Sequence, residues 1–162
     1  MIKASEKFGS KEQFIKQAKE KTYRYEVAYH GCAQALVKAF LDLLEIDNPE
    51  VFKSATGFSA GLALTGNNCG ALLGGLMILS IKFGRGEIEE GVEGIVRGIR
   101  PMRALVKWFK EKYQSFQCST LTGGANLADP EEYKNYEQMG GLQKCAGILS
   151  ETAAKVAELI YE

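Results

Sequence analysis

Apolar residues recur at helical spacing along most of the chain, and this pattern predicts an all-α fold. Cys32, Leu36, Phe40 and Leu43 lie three or four residues apart, so they mark one buried face of a helix over 31–46. The same spacing recurs over 69–83 and over 142–161. We identify no stretch with the alternation of apolar and polar residues that is typical of a half-buried strand.

Capping and turn residues divide this pattern into segments. Ser10 is expected to cap a first helix, Asn68 to cap the helix over 69–83, and Pro101 to kink or restart a long helical stretch over 88–116. The Gly-rich segment 57–68 is expected to be a loop. Residues 119–141 are expected to be mostly irregular, with part of 130–138 helical and a short helix near Val51. We expect one domain over 1–162, a bundle of about five or six helices.

Composition and charge exclude several classes of function. The 20 Lys and Arg residues balance the 20 Asp and Glu residues, which gives no support for a nucleic-acid surface. The longest nearly uncharged run, 68–82, is too short for a membrane span, which needs about 20 apolar residues. The charged N-terminus lacks the apolar stretch of a signal peptide. These features predict a cytoplasmic protein, in which thiols usually stay reduced.

Four cysteines stand against a single histidine, and they are the most informative residues of the chain. None of them forms a Cys-x-x-Cys pair, so the usual zinc-ribbon spacing and the thioredoxin motif are excluded. Cys32 and Cys69 fall in the first turn of expected helices, where the helix dipole favours a thiolate. The other two are Cys118 and Cys145, and we expect all four to converge on one side of the bundle.

The segment Cys69-Gly70-Ala71-Leu72-Leu73-Gly74, with Cys32 before it and Cys118 and Cys145 after it, resembles the signature of a known family. That family is classed as redox-active and is defined by four cysteines and a Cys-Gly-Ala-x-x-Gly motif (C_GCAxxG_C_C). The resemblance covers roughly residues 25–160. It implies redox activity without naming a reaction. A related cysteine module resembles part of certain cytochromes proposed to hold an iron–sulfur cluster, but this chain has no Cys-x-x-Cys-His for covalent haem.

Three functions are compatible with these observations. In the first, Cys32, Cys69, Cys118 and Cys145 are redox thiols that act by thiol–disulfide or electron-transfer chemistry with a redox partner protein. In the second, the same four thiolates hold an iron–sulfur cluster or another metal, since four cysteines are the usual ligand set of such clusters. In the third, the cysteines are buried and inert in a helical interaction domain. Whether the protein is an enzyme or a homo-oligomer is left open.

Two further features receive less weight. His30 lies two residues before Cys32 and could accept its proton, but a lone histidine is more often a surface or packing residue. The segment 65–70 leads into a helix and could hold an anion there. It lacks the Gly-Lys-Ser/Thr of a phosphate-binding loop, so a helix-capping turn is the preferred interpretation.

Overall fold

In a computed structural model of the chain, residues 4–161 are described, and they form an all-α protein. Two short 3₁₀ turns, Ala55–Phe58 and Ile88–Glu90, accompany the helices. The helices within residues 4–161 are α1 (Ala4–Lys7), α2 (Lys11–Tyr29), α3 (Cys32–Leu43), α4 (Pro49–Ser54), α5 (Gly70–Phe83), α6 (Gly91–Tyr113), α7 (Cys118–Leu121), α8 (Pro130–Gln138) and α9 (Gly141–Ile160). The single-domain prediction over 1–162 also included residues 1–3 and 162, which lie outside the described residues.

The predicted number of helices, five or six, is wrong, because the described residues 4–161 form nine. Two of the additional helices, α1 and α7, have only four residues each, whereas the short helix expected near Val51 is present as α4. A helical period becomes recognisable in windows of about 11 to 18 residues, so elements this short give no periodic signal. The all-α class itself is confirmed.

The helix starts were predicted with mixed success. Ser10 caps α2 as expected, since its hydroxyl accepts the N–H of Gln13 at 3.1 Å. Asn68 does not cap α5: Cys69 occupies the N-cap position, and Asn68 instead pairs with Gln117 in an isolated antiparallel bridge. Pairing between distant segments thus overrides the local capping preference of asparagine.

Helix α6 runs without a break from Gly91 to Tyr113, so of the two alternatives predicted for Pro101, a kink or a restart, the restart does not occur. Its C-terminal half contributes Leu105 and Phe109 to the core, where both side chains are fully buried. Its N-terminal half exposes apolar side chains, among them Val92 and Val96. The helix therefore packs on the bundle mainly through its second half.

The core is one hydrophobic cluster to which the long helices contribute. Helices α2 and α9 pack along each other most extensively, and α3 packs against both α2 and α5. Helix α5 in turn contacts α6 and α9. Phe14, Phe40 and Phe109 are the largest fully buried side chains. Within residues 4–161, every helix is either too short or too polar to cross a bilayer.

Candidate functional site

All four cysteines line one cavity of about 140 Å³. Its wall is contributed by α2, α3, α7, α8, α9, by Cys69 just before α5 and by the loop segments 59–64 and 122–127, so the site exists only in the assembled fold. An engineered apolar cavity of about 150 Å³ admits benzene, so this space suits a small molecule. The cavity is open to solvent at one edge, where the exposed residues His30 and Leu64 belong to its wall.

The two glycines of the Cys69–Gly74 motif, Gly70 and Gly74, bring Cys32 next to Cys69. Cys32 is the first residue of α3, and Cys69 immediately precedes α5. A Cβ atom on Gly70 would overlap the sulfur of Cys32, and one on Gly74 would lie 2.9 Å from the carbonyl oxygen of Ala33. Only glycine at both positions lets the N-terminus of α3 approach α5 this closely.

Backbone pairing brings Cys118 to the same place. The N–H of Cys69 donates to the carbonyl of Phe116 at 2.7 Å, and the N–H of Cys118 donates to the carbonyl of Asn67 at 2.6 Å. These two bonds hold the start of α5 against the start of α7. Gly61, with φ of 76°, adds a close approach, since a Cβ there would lie 2.7 Å from the Cβ of Cys118.

The segment that follows Ser59 closes the cavity in an unusual backbone conformation. Ala60, Leu62, Ala63 and Leu64 all have positive φ, between 47° and 67°. Non-glycine residues adopt this left-handed region at a cost of roughly 1–2 kcal/mol each. Ala60 and Leu64 belong to the cavity wall, so the costly conformation lies at the site itself.

Cys145 enters the cavity from the second turn of α9 and contacts α8. Its sulfur lies 3.2 Å from the hydroxyl of Tyr136, and either group can be the donor. The ring of Tyr136 occupies the space that a side chain on Gly141 would need. Burial raises the pKa of Tyr136, and the hydrogen bond to Cys145 adds to that shift.

Burial keeps the thiols protonated. It raises the pKa of Cys32, Cys69 and Cys118 to about 12 and also raises the pKa of Cys145. The expectation that helix starts would favour thiolates at Cys32 and Cys69 is therefore wrong. The N–H groups of Ala71 and Leu72 do lower the pKa of Cys69, but removing the sulfur from water has the larger effect.

Glu26 is a member of the site that the sequence interpretation missed. Its side chain is 4 % exposed and lines the cavity with the cysteines. Burial raises its pKa to about 7, and its charge raises the pKa of Cys32 and Cys145. A signal was available, because Phe14, Ala18, Thr22 and Glu26 are spaced by four residues and form the buried stripe of α2.

His30 also lines the cavity, although its side chain is exposed. It occupies the C-cap position of α2 with φ of 59°. This placement agrees with the preferred interpretation of a surface histidine. The segment 65–70 is expected from the sequence to be a helix-capping turn, but it gives α5 no side-chain cap: the hydroxyl of Thr65 instead donates back to the carbonyls of Gly61 and Leu62 at 2.8 Å.

The residues of the cavity match a metal site in chemistry but not in placement. Four thiols are the ligand set of iron–sulfur clusters and of some zinc sites. Yet among residues 4–161 no three His, Cys, Asp or Glu side chains are grouped so that they could hold a metal ion. We therefore derive no step through a metal, and an iron–sulfur cluster stays a prediction.

Comparison with known proteins agrees with the ordered set of cysteines. A family model with the description "Putative redox-active protein (C_GCAxxG_C_C)" matches residues 30–159. The chain belongs to this family. The resemblance stated from the motif is thereby confirmed, and the family's description supports a general redox role. No curated protein and no solved structure matches this four-cysteine chain.

Proposed function

We propose that this member of the C_GCAxxG_C_C family is a thiol–disulfide redox protein that uses Cys32, Cys69, Cys118 and Cys145. The observation that carries the proposal is the shared cavity, whose wall contains all four cysteines. They are free thiols, and each influences the charge state of at least one other. A disulfide requires two cysteines whose Cα atoms lie within about 7 Å, and the close packing of the N-terminus of α3 on the start of α5 favours the pair Cys32 and Cys69.

The two pairs of cysteines differ in access to solvent. Cys32 and Cys145 are half-buried, whereas Cys69 and Cys118 are buried, with 7 % and 6 % exposure. The half-buried thiols are thus the ones that meet an incoming disulfide first. Two thiols then become one disulfide, while the incoming disulfide takes up two electrons and two protons and leaves as two thiols. The buried pair supplies further thiols for exchange within the cavity.

Differential alkylation tests this function. The reduced protein is exposed to a small disulfide, quenched with acid, and alkylated with light reagent before reduction and heavy reagent after it. Peptide mass spectrometry then counts the disulfides of each cysteine. We expect a reversible disulfide that includes Cys32 or Cys145, and single Cys→Ser variants identify its partner. Four thiols that never form a reversible disulfide would contradict the proposal.

Anaerobic purification distinguishes this function from the competing prediction, which is that the four cysteines bind an iron–sulfur cluster or another metal. Iron, sulfide, zinc and free thiols are counted on one sample of the full chain. We expect four free thiols per chain in the reduced protein and no stoichiometric metal. Iron and sulfide in stoichiometric amounts, lost in the Cys→Ser variants, would replace the thiol–disulfide function with cluster binding.

A further inference from the structure

Glu26 directs an unpartnered carboxyl group into the cavity of the four cysteines. The side chain is 4 % exposed, and its Oε2 atom has no hydrogen-bond partner within the described part of the chain. Buried polar atoms are nearly always hydrogen-bonded, so an exception at a cavity calls for an explanation. A carboxylate that is idle in the resting protein is available to bind a proton or a ligand.

The groups around Glu26 offer it no positive partner. Cys32 faces it from α3, Cys145 from α9, and Tyr133 and Tyr136 from α8. The remaining titratable groups of the wall are Cys69, Cys118 and His30, the last of which is exposed. Of the residues described, those that line the cavity include no lysine or arginine. No lysine or arginine from the described residues of the wall can therefore neutralise the carboxylate, and a proton can.

We propose that Glu26 is the internal proton acceptor for thiol–disulfide exchange at Cys32. This inference rests on the proposed function. In the first step the carboxylate takes the proton from the Cys32 sulfur, and the resulting thiolate attacks one sulfur of the incoming disulfide. The incoming S–S bond breaks as the mixed disulfide forms, and the leaving thiolate takes the proton back from Glu26. A second cavity thiol attacks Cys32 in the same way and releases the second thiol.

The electrostatics of the site make such an acceptor necessary. With a pKa of about 12, Cys32 carries almost no thiolate at neutral pH, so its proton must go to a nearby base as it reacts. A base is most effective when its own pKa lies near the working pH, and the pKa of Glu26 is about 7. Glu26 and Cys32 line the same cavity, and after burial itself the charge of Glu26 is the strongest influence that raises the pKa of Cys32.

The rate of exchange as a function of pH tests the proposal. The reduced full chain reacts with 2-hydroxyethyl disulfide, and mass spectrometry of acid-quenched samples measures the modification of Cys32. We expect the wild-type rate to rise through pH of about 7 and then level off. Glu26→Gln should lose this inflection and react at least about tenfold more slowly, since general bases contribute about 10²–10⁴-fold. Glu26→Asp should keep the inflection at a reduced rate.

Thr22→Val is the matched control. Thr22 lies one turn before Glu26 on the same buried stripe, and its hydroxyl is likewise without a partner among the described residues. The control should keep the wild-type profile, because it removes a polar atom but no titratable group. An unchanged profile in Glu26→Gln would overturn the role of Glu26 and leave thiol exchange intact. A wild-type protein that forms no adduct and no disulfide would overturn both.

A measurement on the wild-type protein covers the case in which Glu26→Gln fails to fold. Carboxyl-labelled glutamate allows each side chain to be titrated by ¹³C NMR. We expect one glutamate to titrate near pH 7, far above the ordinary value of 4.5, at the inflection of the rate profile. If no glutamate titrates in that range, or if the two inflections differ, the proposal is wrong.

Discussion

At the scale of single residues, the site brings together ionisable side chains that are removed from water. The cavity holds a carboxyl group and four thiols, and burial disfavours the charged form of every one of them. The consequence is a resting state in which the thiols are protonated, while Glu26, with a pKa of about 7, gains or loses its proton near neutral pH. Chemistry at this site requires a proton to move before sulfur can react.

Glu26 should make folding stability depend on pH. Its folded pKa of about 7 exceeds the ordinary value of 4.5, so the folded protein binds the proton more tightly than the unfolded chain. This contribution is complete below pH 4.5 and is lost as pH rises towards 7. Glu26→Gln should therefore exceed the wild-type protein in free energy of unfolding at mildly alkaline pH. The gain is on the order of 3 kcal/mol, since one pKa unit corresponds to about 1.4 kcal/mol.

Urea denaturation across this pH range measures the effect. Glu20→Gln is the control, because Glu20 is an exposed residue of the same helix. It should leave the pH dependence unchanged. Equal pH profiles for Glu26→Gln and the wild-type protein would show that the carboxyl group is not held in a desolvated position.

At the scale of elements, the cysteine motif describes a contact between helices. Gly70 and Gly74 lie on the face of α5 that meets the N-terminus of α3. Because neither glycine has a side chain, the two helices can pack closely, and Cys32 approaches Cys69 as a result. The sequence supplied these glycines as part of a motif, whereas their partner, the backbone of Ala33, became apparent only from the packed helices.

Gly74→Ala should weaken the protein. The added Cβ would lie 2.9 Å from the carbonyl oxygen of Ala33, so α3 must move away from α5. We expect the free energy of unfolding to fall by about 1–3 kcal/mol, as for overpacked cores, and the formation of a disulfide between Cys32 and Cys69 to be impaired. Chemical denaturation and differential alkylation measure the two effects.

Gly147→Ala provides the matched control for that change. Gly147 lies within α9, and no heavy atom within 4 Å would meet a Cβ there. The same substitution should stabilise the protein by about 0.5–1 kcal/mol, because alanine favours a helix. A similar loss of stability in both variants would argue against the close approach of α3 and α5.

The left-handed backbone of the segment after Ser59 gives a prediction of the opposite sign. Ala63 is exposed and has φ of 53°, a conformation that glycine adopts without a steric penalty. Ala63→Gly should raise the free energy of unfolding by about 1 kcal/mol, set by the cost of the left-handed region. Ala28→Gly, at an exposed position within α2, should lower it by about 0.5–1 kcal/mol. Chemical denaturation of the two variants decides the point, and a loss of stability in Ala63→Gly would contradict the backbone conformation.

At the scale of the whole molecule, ion pairs connect the helices around the core. Glu151 of α9 accepts hydrogen bonds from Lys112 of α6 at 2.8 Å and from Lys19 of α2 at 2.6 Å. These bonds lower the pKa of Glu151, with the bond to Lys112 the larger cause. The pairs are partly exposed, so solvent screens them and their contribution to stability is small.

Glu151→Gln should lower the free energy of unfolding by no more than about 1 kcal/mol at neutral pH. Because the folded pKa is lowered, the contribution is present above the ordinary carboxyl pKa and is lost as pH falls through the folded value. Added salt should reduce the difference from the wild-type protein. Glu158→Gln, which breaks a pair with Lys155 inside α9, should cost only a few tenths of a kcal/mol. A larger or salt-independent effect of Glu151→Gln would contradict this placement of the network.

The sequence by itself determined the helical class, the cap at Ser10 and the ordered set of cysteines with their motif. These follow from local spacing and from residue types, which act over a few positions of the chain. Only the tertiary structure decided that Cys69, rather than Asn68, occupies the N-cap position of α5. It also decided that four cysteines distant in the sequence share one cavity, and that Glu26 lines the same cavity. It also reversed the expected ionisation of the thiols, because a pKa depends on how much water the packed helices exclude. Burial is a property of contacts between distant segments, and a pattern along one chain does not contain it.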